Sequence, residues 1–286
     1  MLERGALRLR FFHGDAVEIL NAFNSGSNDT GPIDVIVTSP PYNLGIRYRS
    51  YDDGRPRSEY LEWTAHWIAA ARRAMAADAS LFLNVGAKPK DPWTALDIAQ
   101  AVRPHLDLQN IIHWVKSIAI EKALAGARSG LKDDLAVGHY KPINSKRFLN
   151  DCHEFVFHFS KDGSTPIDRR AVGVKYQDKS NVTRWQQGGS DLRCRGNTWF
   201  LPYDTIQSRD KERPHPATFP WRLPAYCLKL HGLPRITLAV DPFLGLGSSA
   251  VACATLGVGF AGIEIDEHYL KEAVSRTKAA LKKAAK

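Results

Sequence analysis

The run Ile33-Asp34-Val35-Ile36-Val37 is short, apolar and rich in β-branched residues, and Thr38-Ser39-Pro40-Pro41-Tyr42-Asn43 follows it at once. The first part reads as a buried strand. The second fixes where that strand stops, because each proline locks φ and removes a backbone donor. A hydroxyl, two rigid prolines and an aromatic ring therefore stand at a strand's carboxyl end, where open α/β sheets hold their ligands. With both proline nitrogens unable to donate, the Pro40 carbonyl stays free to accept a hydrogen bond. Ser39 Oγ, that carbonyl and the face of Tyr42 suit a planar group bearing an exocyclic amine. Taken alone, the same residues equally suit a turn that closes a strand.

The remaining chain alternates strand and helix patterns. Residues 7–12 read as a strand ending at His13-Gly14-Asp15, and 17–23 as a short helix. Ser58 is placed to cap the next helix, with Glu59 and Glu62 in its first turn. Along it Tyr60, Trp63, Trp67, Ala71 and Met75 recur at helical spacing, which reads as core packing and not as a base-stacking surface. Strands are expected over 80–85, 108–115 and 154–159, with a helix from Asp91-Pro92 to about Val102. Later come a helix over 219–231, a strand over 236–240, a helix over 248–256 and a strand over 259–263. Pro220 falls in the first turn of the helix over 219–231, and Pro224 implies a kink or a late start. Asp266 caps a last helix with a basic end. This alternation predicts an α/β fold with a doubly wound, mostly parallel sheet.

Three stretches break the alternation. Residues 47–57 read as a flexible, charged segment with Tyr48 and Tyr51 interleaved, and 116–150 as a long functional loop. Residues 161–213 read as an inserted small domain or arm, because Trp185, Trp199 and Phe200 need a place to pack. Charge follows the same division. Residues 116–147 carry seven Lys or Arg against three Asp or Glu, and 161–222 carry twelve against seven. These two surpluses account for the whole net charge of +9, which is the footprint of a polyanion partner. No apolar run approaches the ~20 residues of a membrane span, and the first ten residues lack the apolar centre of a signal peptide. The four cysteines are scattered without a C-x-x-C pair, as reduced thiols in a cytoplasmic protein with no metal site. His113, His139 and His153 are isolated and carry no sign of a catalytic role.

Asp241-Pro242-Phe243-Leu244-Gly245-Leu246-Gly247-Ser248-Ser249 joins a strand to a helix. Its glycines let backbone approach a ligand, and the helix start offers unpaired N–H groups to an anionic group. Glu264 follows Gly245 by 19 residues, the place for a carboxylate that holds a ribose diol. Gly245-x-Gly247-x-x-Ala250 with that acid also matches a dinucleotide fingerprint, so a nicotinamide-dependent oxidoreductase stands as an alternative. Such an enzyme has no use for Asp241-Pro242-Phe243 or for the proline-locked turn at Ser39.

Taken in order, these motifs resemble the β class of S-adenosylmethionine-dependent DNA amino-methyltransferases. In that family [DNS]-P-P-[YFW] precedes F-x-G-x-G, and a target-recognition region lies between them. Ser39-Pro40-Pro41-Tyr42 and Phe243-Leu244-Gly245-Leu246-Gly247 match in that order. His215-Pro216-Ala217-Thr218-Phe219-Pro220, Gly262-Ile263-Glu264-Ile265-Asp266 with Tyr269, and Gly14-Asp15 resemble the remaining cofactor-side segments. Ser248-Ser249 stands where the family often has two threonines, keeping the hydroxyls. The resemblance implies a Rossmann-like methyltransferase sheet built from residues 1–160 and 214–286, with a target-recognition region over 161–213. It implies Ser39, Pro40, Pro41 and Tyr42 as catalytic residues. It implies S-adenosylmethionine held by Asp15 near the adenine, Glu264 at the ribose and Phe219 near the methionine end, with Ala217, Thr218, Asp241, Phe243, Gly245, Gly247 and Ser248. Double-stranded DNA, a second copy of the chain and a cognate restriction endonuclease are the implied partners, on the nucleoid of a prokaryotic cytoplasm. The target base is expected to be flipped out of the duplex. A first-position serine usually goes with cytosine N4 in this family, with adenine N6 as the alternative. Carbon-5 methylation is disfavoured, since no cysteine follows a proline.

Overall fold

The computed structural model describes residues 1–24, 31–46, 50–126, 129–138, 144–184, 191–202 and 218–284. Tyr48, His139, Trp185 and the segment His215-Pro216-Ala217 lie outside the described residues.

Thirteen strands are described: β1 (Leu2–Arg4), β2 (Leu7–His13), β3 (Ile33–Thr38), β4 (Met75–Val85), β5 (Asp107–Val115), β6 (Ser117–Ile120), β7 (Leu135–Gly138), β8 (His153–Ser160), β9 (Val174–Lys175), β10 (Leu192–Arg193), β11 (Thr198–Phe200), β12 (Ala239–Asp241) and β13 (Phe260–Glu264). The α-helices among the described residues are α1 (Ala16–Asn24), α2 (Arg57–Ala74), α3 (Thr94–Val102), α4 (Ser180–Arg184), α5 (Arg222–His231), α6 (Ser248–Leu256) and α7 (Glu267–Lys283). Nine strands form one sheet in the order β1-β2-β13-β12-β3-β4-β8-β5-β11. From β2 to β4 all pairings are parallel, and β11 is parallel to β5, whereas β8 runs antiparallel to both β4 and β5.

The apolar runs explain this architecture. In β3, Ile33, Val35, Ile36 and Val37 are all buried, as a parallel strand covered on both faces requires. One face packs Leu20 and Phe23 of α1, Tyr60, Trp67 and Ile68 of α2, and Ala95 and Ile98 of α3. The other packs Leu223 and Leu228 of α5, Ala250 and Cys253 of α6, and Ala273 of α7. The sheet is therefore doubly wound and Rossmann-like, as expected. Its order turns between β3 and β12, which are neighbours whose chains leave in opposite directions, β3 to β4 and β12 to β13. That crevice is where such sheets take ligands.

Several details differ from the sequence reading. The helix α2 begins at Arg57 with Pro56 in the N-cap position and no side-chain cap, so Ser58 sits inside the first turn. The proline's fixed φ of −50° sets the entry, and Arg57 is anchored to Asp91, Asp97 and Thr94. The late start suggested by Pro224 is what occurs, since α5 opens at Arg222. Within 116–150 the chain forms a hairpin, β6 paired antiparallel with β7. Within 161–213, β9 and β10 form a second hairpin, but β11 joins the main sheet beside β5. Trp199 of β11 is buried there, its ring edge-on to Tyr226 of α5 at 5.6 Å.

Candidate active site

At the end of β3 the Thr38 hydroxyl donates to Asp241 Oδ1 at 2.7 Å, and the Ser249 hydroxyl donates to Asp241 Oδ2 at 2.6 Å. The backbone N–H of Phe243 donates to the same carboxylate at 3.1 Å. Asp241 thus pins β3, β12 and the start of α6 together. It is fully buried, and burial pushes its carboxyl up to about 6.

Past Thr38 the two prolines turn the chain across the top of the sheet. The Pro41 carbonyl accepts from Tyr60 Oη at 2.6 Å. Asn43 adopts a left-handed conformation, φ 58°, which asparagine tolerates better than most residues. Asp53 holds the turn from below: Oδ1 accepts from the Asn43 N–H at 2.8 Å, and Oδ2 from the Leu44 and Ile46 N–H groups, each at 2.9 Å. The segment read as flexible is, over residues 50–55, folded against this turn and the cleft.

The opposite wall is the glycine turn. Gly245 and Gly247 have φ of 52° and 77°. A Cβ on Gly247 would lie 2.8 Å from Ala273 Cβ, so this glycine admits α7 and not a ligand. Glu264, at the end of β13, accepts from the Gly245 N–H at 2.7 Å through Oε2 and from the Asp266 N–H at 2.9 Å through Oε1. Each oxygen keeps a lone pair for a ligand, and burial raises this carboxyl above its ordinary range. Asp266 caps α7, accepting from His268 and Tyr269 N–H as its position implied.

These elements enclose one cleft lined by Gly14, Asp15, Ser39, Pro40, Pro41, Tyr42, Trp63, Thr218, Phe219, Phe243, Gly245, Ser248 and Glu264, among others. Asp241 and Gly247 do not line it: the first lies beneath its floor, and the second packs behind its wall. Asp15 lines it while also capping α1, accepting from Val17 N–H at 2.8 Å and Glu18 N–H at 3.1 Å. Tyr60, Trp67, Ala71 and Met75 are core residues as expected, but Trp63 is only partly buried and faces the cleft. Its ring lies 5.3 Å from that of Phe243.

Sequence reasoning missed a polar group behind Tyr42. Ser39 Oγ lies 2.6 Å from Tyr42 Oη, which donates to Glu154 Oε2 at 3.3 Å. Asn84 Nδ2 donates to both Tyr42 Oη at 2.5 Å and Glu154 Oε2 at 2.6 Å, and Lys116 Nζ is 3.0 Å from Glu154 Oε1. The available signal was a carboxylate set directly before the apolar run of β8. Lys116, counted among the DNA-facing cations, therefore turns inward.

The cleft fits a nucleoside cofactor on its own chemistry. It offers a backbone-anchored carboxylate, an aromatic wall of Trp63 and Phe243, and a helix start at Ser248. Ser39, Pro40 and Pro41, which follow β3, line the same cleft. Such a cleft at the switch point of a doubly wound sheet is where a Rossmann-like fold takes its cofactor. The profile of the DNA methylase family matches residues 33–275. This chain belongs to that family, the amino-directed N6/N4 DNA methyltransferases, and uses S-adenosylmethionine. It is 28% identical to the type II methyltransferase M.ScaI of Streptomyces caespitosus, over 94% of this chain and 81% of that one. It is 25% identical to M.Cfr9I of Citrobacter freundii, over 93% and 86% respectively. Among solved structures, it resembles the cytosine-N4-specific PvuII DNA methyltransferase with a TM-score of 0.62 at 14% identity, covering 97% of this chain and 93% of that one. The M1.HpyAVI–SAM complex matches with a TM-score of 0.53 at 18% identity, covering 94% and 99%.

Proposed function

We propose that this enzyme methylates the exocyclic N4 amine of a cytosine flipped out of duplex DNA, as the modification half of a restriction pair. The observation that carries the reading is that Ser39, which bears a neutral hydroxyl, and Pro40 line the cleft that Glu264 and Phe243 also line. S-adenosylmethionine supplies an electrophilic sulfonium methyl when bound. The chain's part is to hold the acceptor. An aryl amine is a poor nucleophile because its lone pair is delocalised into the ring. With one amino hydrogen on Ser39 Oγ and the other on the Pro40 carbonyl, the nitrogen is drawn towards tetrahedral geometry and its lone pair is freed. Positioning of this kind is worth about 7–11 kcal/mol, so no covalent enzyme intermediate is needed. The Tyr42 ring, which lines the cleft, would stack on the flipped base, at roughly 1–3 kcal/mol.

Asp15, Thr218, Phe219, Phe243, Gly245, Ser248 and Glu264 are proposed to hold the cofactor, with Asp241 fixing the floor beneath them. The basic residues of 116–147 and 161–222 are proposed to face the duplex, apart from those turned inward. The type II names of the relatives support the restriction pairing, and a homodimer is proposed on family grounds. The test is a digest of DNA methylated by the purified enzyme, read by nucleoside mass spectrometry. N4-methylcytosine is expected. N6-methyladenine without N4-methylcytosine would overturn the base assignment and leave the class intact.

A further inference from the structure

We infer that Glu154 is a positioning residue that aims the Ser39 hydroxyl through Tyr42, with Lys116 and Asn84 holding it in place. The inference rests on the reading of Ser39 as an acceptor for the target amine. The direction of each hydrogen bond fixes the rest. A carboxylate paired with Lys116 at 3.0 Å can only accept, so Tyr42 Oη donates to it. The Asn84 amide must also turn its nitrogen toward Glu154, and the same nitrogen reaches Tyr42 Oη. The phenol oxygen, its proton committed to Glu154, then accepts from Ser39 at 2.6 Å. With the Ser39 proton committed in turn, both lone pairs of its Oγ remain for the cleft. Without Glu154 the phenol proton is free to point at Ser39, whose own proton then turns toward the amine and repels it.

The surroundings hold this chain of donors rigidly. Asn84 sits near the end of β4 and Glu154 near the start of β8, and the antiparallel register of those strands brings them together. Glu154 lies opposite Trp114 of β5, and Lys116 follows that strand's last residue. A Cβ on Gly86 would lie 3.2 Å from Tyr42 Cε2 and 3.3 Å from Glu154 Cγ, so the ring and the carboxylate are packed against backbone. Elements far apart in the chain therefore converge on one hydroxyl.

The test is single-turnover transfer of a labelled methyl group from S-adenosylmethionine to duplex DNA, with cofactor affinity measured by calorimetry. Glu154→Gln and Tyr42→Phe should each slow transfer about 10- to 100-fold, the scale of a misplaced reacting group, with cofactor Kd within about twofold. Because the residues act as one chain, the double variant should lose no more than the worse single one. Glu154→Gln removes the carboxylate paired with Lys116, so Lys116→Met is added to it to repair any folding defect. Under the inference the rate stays low in that pair. A wild-type rate for Glu154→Gln, losses that multiply in the double variant, or recovery of rate with Lys116→Met would overturn the positioning role. Failure of the wild-type chain to methylate DNA would instead overturn the reading of Ser39 on which the inference stands.

Discussion

Three buried carboxylates do most of the local work around the cleft, and each does a different job. Asp53 gathers three backbone N–H groups and so fixes the turn after the prolines. Asp241 gathers Thr38 and Ser249 and so joins the two halves of the chain. Glu264 spends one lone pair per oxygen on backbone and points the others at the cleft. Glu264→Gln replaces one of those oxygens with a donor that faces an N–H group. Affinity for S-adenosylmethionine should fall by at least about tenfold, the cost of roughly one charge-assisted hydrogen bond. Calorimetry below the melting temperature checks this, and an unchanged Kd would remove Glu264 from the cofactor site. The sequence pointed to Glu264 by its spacing from Gly245, and to Asp241 through its motif as a cofactor-binding residue, although Asp241 lies beneath the cleft and does not line it. Asp53 stood in a stretch that looked merely charged, because its partners are backbone groups that carry no residue-type signal.

At the scale of elements, α6 is defined at both ends by left-handed glycines, Gly247 before it with φ 77° and Gly257 after it with φ 73°. Their surroundings differ. A Cβ at Gly257 meets nothing within 4 Å, whereas at Gly247 it would sit 2.8 Å from Ala273 Cβ and 3.1 Å from Ala273 Cα. Gly257→Ala should therefore cost only the left-handed penalty, about 1–2 kcal/mol. Gly247→Ala should cost that plus overpacking against α7, about 1–3 kcal/mol more. Denaturant unfolding of the two variants gives the difference directly, and equal losses would contradict the packing of α7 on this turn. Local motifs such as the helix start at Ser248 and the Asp266 cap were legible because neighbours in sequence form them. The place of β11 was not, since its parallel partner β5 lies more than 80 residues earlier and three residues carry no periodicity. Glu154, Asn84 and Lys116 were hidden for the same reason: only the β4–β8–β5 register makes them neighbours.

Across the whole molecule, a buried chain of neutral groups crosses the sheet away from the cleft. Asn110 donates to His158 Nδ1 at 3.0 Å, which leaves the proton on Nε2 to be donated to Ser80 Oγ at 2.9 Å. Ser80 then donates to His231 Nδ1 at 2.9 Å. Burial lowers His158 to about 3 and His231 to about 4, so the fold refuses protons that an unfolded chain accepts below pH 6.5. Their stabilisation is complete above pH 6.5 and is lost as pH falls toward 4. His231→Asn keeps an acceptor for Ser80 but removes one such proton. Its stability should therefore fall with acid less steeply than wild type, by about 1.4 kcal/mol per pH unit in that window. Urea unfolding from pH 4.5 to 7 checks it, and parallel profiles would show that His231 titrates in the fold. The same sheet brings residues 39–42 and 242–246, some 200 residues apart in the chain, into one cleft. Whether that cleft is the reaction centre is tested by single-turnover transfer of labelled methyl from S-adenosylmethionine to DNA, comparing wild type with Ser39→Ala. A rate lower by about a hundredfold or more, with cofactor affinity within about twofold, is the predicted result. Transfer by Ser39→Ala at the wild-type rate would contradict it.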